Sequence, residues 1–281
     1  MKVLKWVTRA SLLGGFLIGG LACSPRSSSE GNLIAPTSKI SDTIINGTEV
    51  SANHPIARMT VAIYNPTIKA TCSGSLLENN IVLTAAHCVY SNPKKQFILF
   101  ESNFSSTDPA VMKKFKFLPV IAGKVTPTWE KQQHLLKNQG DIGLLKFSGQ
   151  VPPGYQAARA LRDFKVLKKG TSTVIAGYGR VQFQNTNVQV LRQATVPIAD
   201  PQFSQLEITL DQSRGYGACV GDSGGPAYVI LNGIYYLWGV TSRPVDMSPE
   251  DQCQNVGVFT KVDRFLSWIS TATKELIEEE Q

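Results

Sequence analysis

The chain has 281 residues and a formal net charge of +7, a length at which one domain can bury a large core. Five of its 28 basic and two of its 21 acidic residues lie before Ile44, which leaves 23 against 19 and a net charge of +4 for the rest. This modest charge, with no run of Lys and Arg interleaved with aromatic residues, argues against a nucleic-acid-binding protein.

Residues 1–22 have the pattern of a secretory signal peptide. Lys2, Lys5 and Arg9 flank an apolar run that begins at Leu12 and ends in small residues. At about 12 residues, the run is too short for a membrane-spanning helix. We therefore expect export to an extracellular or periplasmic location, where disulfides can form.

Cys23 follows Gly20-Leu21-Ala22, a pattern that resembles a bacterial lipobox, in which the cysteine becomes the acylated N-terminus. One interpretation is lipidation of Cys23 and anchoring to a membrane. The other is ordinary cleavage after Ala22, which leaves a free thiol. Residues 23–43 are rich in Ser, Pro and Gly, and this composition predicts a propeptide or tether that cannot bury a core.

Short apolar or alternating runs separated by turns fill the chain from residue 44 onwards, and such runs indicate β-strands. They are Arg58–Tyr64, Ile81–Thr84, Phe97–Phe100, Ile142–Phe147, Thr173–Ala176, Val188–Pro197, Ala227–Leu231 and Ile234–Thr241. No helical periodicity separates them, so the sequence predicts an all-β domain.

A C-terminal α-helix is predicted over about residues 263–280. Asp263 can cap it, and the residues that follow form an apolar stripe at helical spacing. The stripe consists of Phe265, Leu266, Trp268 and Ile269.

Two motifs supply a nucleophile and a base. Ser223 lies in a G-D-S-G-G motif, which also fits the G-x-S-x-G turn of α/β-hydrolases, where the histidine follows the serine in the chain. The histidines of this chain are His54, His87 and His134, and all precede Ser223. A triad must therefore run His, Asp, Ser, and Asp141 lies between the other two.

These residues, with further motifs spread over the chain from Ile44 to the C-terminus, resemble trypsin/chymotrypsin-like serine proteases. The further motifs are Ile44-Ile45-Asn46-Gly47, Cys72-Ser73-Gly74-Ser75-Leu76-Leu77, Gly177-Tyr178-Gly179 and Gly257-Val258-Phe259-Thr260-Lys261-Val262. The resemblance implies a protease domain over residues 44–281, made of two packed six-stranded antiparallel β-barrels and the C-terminal helix. The barrels are expected over about residues 44–150 and 151–262.

By the same resemblance the chain is an exported bacterial serine endopeptidase that acts on protein or peptide substrates as a monomer, with no cofactor and no metal. His87 is then the base, Asp141 orients it, and Ser223 is the nucleophile that forms an acyl-enzyme. The N–H groups of Gly221 and Ser223 form the oxyanion hole.

The resemblance also implies a zymogen. Cleavage before Ile44 creates an α-amino group that pairs with Asp222, a buried charge that is costly without its partner. Most relatives have Lys or Arg where this chain has Thr43, which argues against a trypsin-like activator. If Cys23 is lipidated, the same cleavage releases the domain from its anchor.

Two departures from the family pattern bear on the substrate. Gly217, followed by Ala218, stands where trypsin-like members have an aspartate that binds Lys or Arg, and Gly257 matches a glycine that keeps the pocket open. We therefore expect an uncharged residue on the acyl side of the scissile bond.

The second departure depends on the alignment. Trp238 comes too soon after Ser223 to be the tryptophan of the family's Ser-Trp-Gly strand, and the match places Ser242 at that serine. Arg243 and Pro244 then replace the tryptophan and the glycine, and proline has no N–H to offer an extended substrate. We expect modest activity on generic peptides or a narrow substrate set.

The family pattern pairs Cys72 with Cys88 and Cys219 with Cys253, and leaves Cys23 over. A rival function, which Arg243 and Pro244 favour, is a catalytically weak binding protein on the same scaffold. An esterase or lipase would need a histidine after the serine and has little support.

Overall fold

The computed structural model describes residues 44–105, 110, 113–179, 189–246, 253 and 255–279. The predicted signal peptide, Cys23 and the predicted propeptide with Thr43 lie outside these residues. In the part of the chain that is described, no helix has the length and the apolar character needed to cross a membrane.

The first half of the domain is a closed barrel of six antiparallel strands. In barrel order they are β2 (Thr60–Asn65), β3 (Ala70–Leu76), β4 (Ile81–Thr84), β7 (Gly143–Phe147), β6 (Phe117–Val125) and β5 (Phe97–Leu99). Many of their apolar side chains, among them Ile63, Leu83 and Phe147, are buried in the barrel core. Closure leaves no unpaired strand edge in the ring.

A second closed barrel of six antiparallel strands follows. Its strands are β9 (Ser172–Gly177), β10 (Arg192–Asp200), β11 (Glu207–Asp211), β14 (Val256–Lys261), β13 (Ile234–Pro244) and β12 (Pro226–Leu231), and pairing of β10 with β9 closes the ring. Ile175, Leu210 and Trp238 lie in its core. The prediction of two six-stranded antiparallel barrels is confirmed.

Short elements complete the domain. The two-residue strands are β1 (Thr48–Glu49), which pairs with β10, and β8 (Arg159–Ala160), which runs parallel to β13. The helices are α1 (Pro127–Gln132), capped by the Thr126 hydroxyl, and α2 (Leu266–Glu278).

The C-terminal helix is present, but the details of its predicted start are wrong. Asp263 opens a 3₁₀ turn, Asp263–Phe265, and no side chain caps the α-helix that begins at Leu266. Leu266 is exposed, while Phe265, Ala272 and Leu276 are buried. Trp268 and Ile269 pack against the core, so Leu266 is the one residue of the predicted apolar stripe that faces solvent.

A tight turn fixes the register of the strand that carries the candidate substrate contacts. Asn232 and Gly233 connect β12 to β13, and both have positive φ, at 52° and 76°. This is the geometry of a two-residue hairpin whose twist matches its strands. In the resulting register Trp238 points into the barrel core, with its ring centroid 5.9 Å from that of Phe259. Four residues later, Ser242 reaches Asp141.

Candidate active site

Strand pairing in the first barrel brings His87 and Asp141 together. His87 lies on a 3₁₀ turn, Ala86–Cys88, just after β4, and Asp141 lies just before β7. Because Thr84 of β4 pairs with Gly143 of β7, the two segments emerge side by side. His87 Nδ1 lies 2.8 Å from Asp141 Oδ2, and the His87 backbone N–H donates to Asp141 Oδ1 at 3.1 Å.

Asp141 is buried and held by the second barrel as well. The Ser242 hydroxyl donates to its Oδ2 at 2.6 Å, and the Thr260 hydroxyl donates to its backbone carbonyl at 3.0 Å. Burial raises the pKa of Asp141, but the charge of His87 and the hydrogen bonds from His87 and Ser242 outweigh it, so the pKa is lowered. The carboxylate form is therefore the stable one in this site.

The His87 side chain is 35% exposed. Its partial burial lowers the pKa of the imidazole, and the charge of Arg243 lowers it further. The charge of Asp141 and the hydrogen bond to it outweigh both, so the pKa of His87 is raised above its usual 6.5. This is the electrostatic setting of a base that must carry a proton for part of a reaction.

Ser223 lies on a glycine-rich turn that packs against both barrels. A Cβ at Gly224, where φ is +80°, would collide with the Thr84 hydroxyl and the Ser73 carbonyl. The Ser73 N–H donates to the Ser223 carbonyl at 2.8 Å, and the Gly224 N–H donates to Thr241 at 2.8 Å. The sequence needs glycine here because only glycine permits both this φ and this approach.

The turn also presents two backbone donors. The N–H groups of Asp222, Gly224 and Gly225 donate to backbone carbonyls. Those of Gly221 and Ser223 have no acceptor among the residues that the structure describes. Unpaired N–H groups beside a serine can stabilise a developing oxyanion.

Both disulfides that the resemblance implied are present. Cys72 is joined to Cys88, next to His87, and Cys219 is joined to Cys253. The sulfur of Cys88 lies 3.6 Å from the Ser223 carbonyl oxygen, so the base-bearing and serine-bearing segments are in contact. Cys72, His87 and Cys88 come together as metal-ligand types, but the disulfide leaves no thiolate to bind a cation.

Asp222 is fully buried under the serine turn. It accepts hydrogen bonds from the N–H groups of Gly179 and Cys219, both at 2.8 Å, and no cationic side chain in the described ranges pairs with it. Burial raises the pKa of Asp222 to about 7, although both N–H groups lower it. A fully buried carboxyl without a cation favours its neutral form.

Ile44 is fully buried and packs in the core of the second barrel. The N–H of the next residue, Ile45, donates to the Gly217 carbonyl at 2.9 Å. Gly217 lies two residues before Cys219, whose N–H binds Asp222. The start of the described chain therefore runs along the segment that leads to Asp222.

A cavity of about 220 Å³ opens beside Ser223. It brings together most of the residues predicted to contact substrate, and no carboxylate is among its described lining residues. The predicted contacts that line it are Ala218, Ser242, Arg243, Pro244 and Gly257. Gly217 is not among the residues that line the cavity, and it packs against the side chain of Gln212.

Arg243 lines the cavity but also holds a neighbouring loop. Its Nη1 lies 2.9 Å from Glu207 Oε1, and its Nη2 donates to the Leu136 carbonyl at 2.7 Å. Glu207 is fully buried and also accepts from the N–H groups of Asn138 and Gln139. The ion pair of Arg243 with Glu207 therefore fixes the loop before Asp141.

Pro244 ends β13 opposite Gly257 of β14. The N–H of the following residue, Val245, donates to the Val256 carbonyl of β14. Because successive residues of a strand turn their N–H groups to opposite edges, the position of the missing Pro244 N–H faces away from β14. A donor is therefore absent at the strand edge beside the cavity.

Two residues of this region were not predicted from the sequence. Gln212 forms part of the cavity lining, and Glu207 holds Arg243. Neither lies in a motif, and both are polar residues in or next to β11, a strand that was not predicted. The two other histidines lie elsewhere: His54 accepts from the Ile56 N–H at 3.2 Å, and His134 is exposed.

The family model described as Trypsin matches residues 44–269. The chain is 30% identical over 213 residues to chymotrypsin-like elastase family member 1 of Rattus norvegicus, which covers 71% of this chain and 77% of the relative. It is 28% identical to the Bos taurus protein of the same name over 243 residues, 82% of this chain and 89% of the relative. It is 29% identical to the Homo sapiens protein of the same name over 213 residues, which covers 71% of this chain and 80% of the relative.

Proposed function

The chain belongs to the trypsin family and is a serine endopeptidase, and on this premise we propose that Ser223, His87 and Asp141 form its catalytic triad. The observation that carries the proposal is the chain of contacts from Ser242 through Asp141 to His87, beside a cavity that Ser223 lines. The buried Asp141 carboxylate holds the imidazole in one orientation and stabilises its charged form.

In the proposed reaction, the Ser223 Oγ attacks the carbonyl carbon of the scissile bond while His87 accepts the hydroxyl proton. The unpaired N–H groups of Gly221 and Ser223 bind the oxyanion of the tetrahedral intermediate. His87 then gives its proton to the leaving amine, which breaks the C–N bond and leaves an acyl-enzyme. Water attacks the ester carbonyl while His87 accepts its proton, and the C–O bond to Ser223 then breaks as His87 returns that proton to Oγ, which releases the acid product.

We propose further that the chain is made as a zymogen, cut between Thr43 and Ile44. The carboxyl of Asp222 is buried, no cationic side chain among the described residues pairs with it, and its pKa of about 7 reflects that burial. A new ammonium group on Ile44 would supply the missing charge, since a buried carboxylate is stabilised by a close opposite charge. The contact of Ile45 with Gly217 keeps this end of the chain beside the segment that reaches Asp222.

The proposed substrate carries an uncharged side chain on the acyl side of the scissile bond. No carboxylate among the described lining residues is available to neutralise a Lys or Arg side chain. The apolar surfaces of Ala218, Val258 and Phe259 suit an apolar group instead. Burying the ammonium group of a Lys side chain without a charged partner would cost roughly several kcal/mol.

The two disulfides indicate an oxidising compartment outside the cytoplasm. We propose in addition that Cys23 is acylated, so that cleavage before Ile44 both activates and releases the domain. Mass spectrometry of the active species tests this. An active chain that still carries Cys23 would exclude activation by release.

Reaction of the chain cut before Ile44 with a small fluorophosphonate tests the triad. We expect one covalent adduct, located on Ser223 by peptide mapping and absent from Ser223→Ala. The matched control is Ser270→Ala, which changes an exposed serine on α2 and should label at the wild-type rate. Labelling of Ser223→Ala, or no labelling of the cut wild-type chain, would contradict the proposal.

A further inference from the structure

One residue that lines the cavity is a glutamine that no catalytic step uses. Gln212 directly follows β11, its backbone N–H donates to the Asn255 carbonyl at 2.8 Å, and the residue is 2% exposed. Its side chain is part of the cavity lining. A buried polar group of this kind is costly unless it is hydrogen-bonded.

Three hydrogen bonds fix the orientation of the Gln212 carboxamide. Its Nε2 donates to the carbonyls of Ala218 and Cys253, both at 3.3 Å, and its Oε1 accepts from the Ala218 N–H at 2.9 Å. The oxygen must face the N–H and the nitrogen must face the carbonyls. Both N–H bonds of the amide are therefore used inside the protein, and the group is held firmly in place.

Two glycines leave the space that this carboxamide occupies. A Cβ at Gly257 would lie 2.7 Å from Gln212 Oε1, and a Cβ at Gly217 would overlap Gln212 Cδ. These are the positions where the sequence suggested an open pocket with no aspartate. The room they create is filled by the Gln212 side chain.

We propose that Gln212 is the floor of the substrate pocket, and that it limits the acyl-side residue to a short, uncharged side chain such as Ala, Val or Leu. The inference rests on the proposed function, because it assigns the size limit of that same pocket. The neutral carboxamide cannot balance an ammonium or guanidinium group. A Phe side chain would have to displace an amide held by three hydrogen bonds.

The test compares peptide phosphonates that differ only in the acyl-side residue (Ala, Leu, Phe or Lys) for their rate of covalent reaction with Ser223 in the chain cut before Ile44. For wild type we expect Ala and Leu to react at least about tenfold faster than Phe or Lys, the scale on which pocket size discriminates. Gln212→Ala removes the floor and should raise the Phe-to-Ala rate ratio at least about tenfold.

Two variants of nearly unchanged length serve as matched comparisons. Gln212→Met keeps the floor at the same height and should keep the preference for short side chains. Gln212→Glu places a carboxylate at the floor and should raise the Lys-to-Leu rate ratio at least about tenfold. Gln205→Ala, at an exposed glutamine, should change neither ratio.

The outcomes separate the two proposals. If the small fluorophosphonate labels Ser223 but neither Gln212→Ala nor Gln212→Glu changes its ratio, the floor assignment is wrong and the triad stands. If Gln212→Ala does not fold, as judged by circular dichroism, the Gln212→Glu ratio alone decides. If no probe labels Ser223, the proposed function fails and the floor assignment fails with it.

Discussion

The Ser242 hydroxyl donates a 2.6 Å hydrogen bond to Asp141 Oδ2, the same oxygen that lies 2.8 Å from His87 Nδ1. Asp141 stands at the start of β7 in the first barrel, and Ser242 is in β13 of the second. This contact therefore ties the proposed base and its orienting group to both halves of the domain. Arg243 Nη1, 3.4 Å from the Ser242 oxygen, helps to turn the hydroxyl hydrogen towards Asp141.

Ser242→Ala removes one donor from the buried Asp141 carboxylate. A hydrogen bond to a charged group contributes about 1.5–3 kcal/mol, so we expect kcat/KM to fall by about 10- to 100-fold. If the hydroxyl only positions Asp141, the loss appears in kcat and leaves KM nearly unchanged. Steady-state kinetics on one peptide substrate measures this split, with Ser148→Ala as control. A change confined to KM would instead assign Ser242 to substrate binding.

The raised pKa of Asp222 makes the stability of the uncut chain depend on pH. Its folded value of about 7 lies above the unfolded value of 3.8, so the folded state holds the proton more tightly. The contribution is fully present below pH 4 and is lost as pH rises through 7. We expect uncut Ser223→Ala to unfold at a lower urea concentration at pH 8 than at pH 5, by on the order of 2–4 kcal/mol in free energy.

Asp222→Asn in the same background should abolish most of this difference, whereas Glu78→Gln, at an exposed position, should preserve it. Cutting before Ile44 should also reduce it, because the new ammonium group stabilises the carboxylate. A cut and an uncut chain with the same pH dependence would speak against the pairing of Ile44 with Asp222.

Strands could be predicted where several apolar residues follow one another, as in Ile81–Thr84, where every residue is buried. Ala70–Leu76 was not predicted as a strand, because its residues are small or polar except for Leu76 at its end. Even so, five of its positions are buried. Gly74 in this strand lies where a Cβ would overlap Val82. The formation of such a strand depends on close packing against a neighbouring strand. A local sequence pattern does not show that packing.

Some residues of the candidate site could likewise be predicted from local motifs, and others could not. Ser223 and His87 lie in contiguous motifs, and Asp141 was assigned from the family resemblance, at a place in the chain that fits the order His, Asp, Ser. Gln212 carries no local signal, because its place in the pocket depends on glycines five and 45 residues later, at Gly217 and Gly257. Arg243 was placed at the cleft by alignment, but its ion pair with Glu207 depends on β11, which was not predicted.

Pro244→Ala should restore a backbone donor at the edge of β13. One such hydrogen bond contributes about 1 kcal/mol, so we expect kcat/KM on an extended peptide to rise about fivefold. A single-residue ester reaches only the Ser223 end of the cleft, and its hydrolysis should not change. Pro152→Ala, in the connection between the barrels, is the control. An equal rise on peptide and ester would mean that the proline affects the triad and not the substrate backbone.

Glu207→Gln should destabilise the domain far more than a matched change in an exposed ion pair. Glu207 is fully buried and pairs with Arg243 at 2.9 Å, whereas Glu275 is 49% exposed and pairs with Lys124 at 2.8 Å. Breaking a buried pair leaves an uncompensated charge and costs about 3–5 kcal/mol, while an exposed pair is worth about 0–1 kcal/mol. Urea unfolding of Glu207→Gln and Glu275→Gln in the Ser223→Ala background measures both. Equal losses would show that the pair of Arg243 with Glu207 contributes no more than the pair of Lys124 with Glu275, and that it does not hold the loop before Asp141.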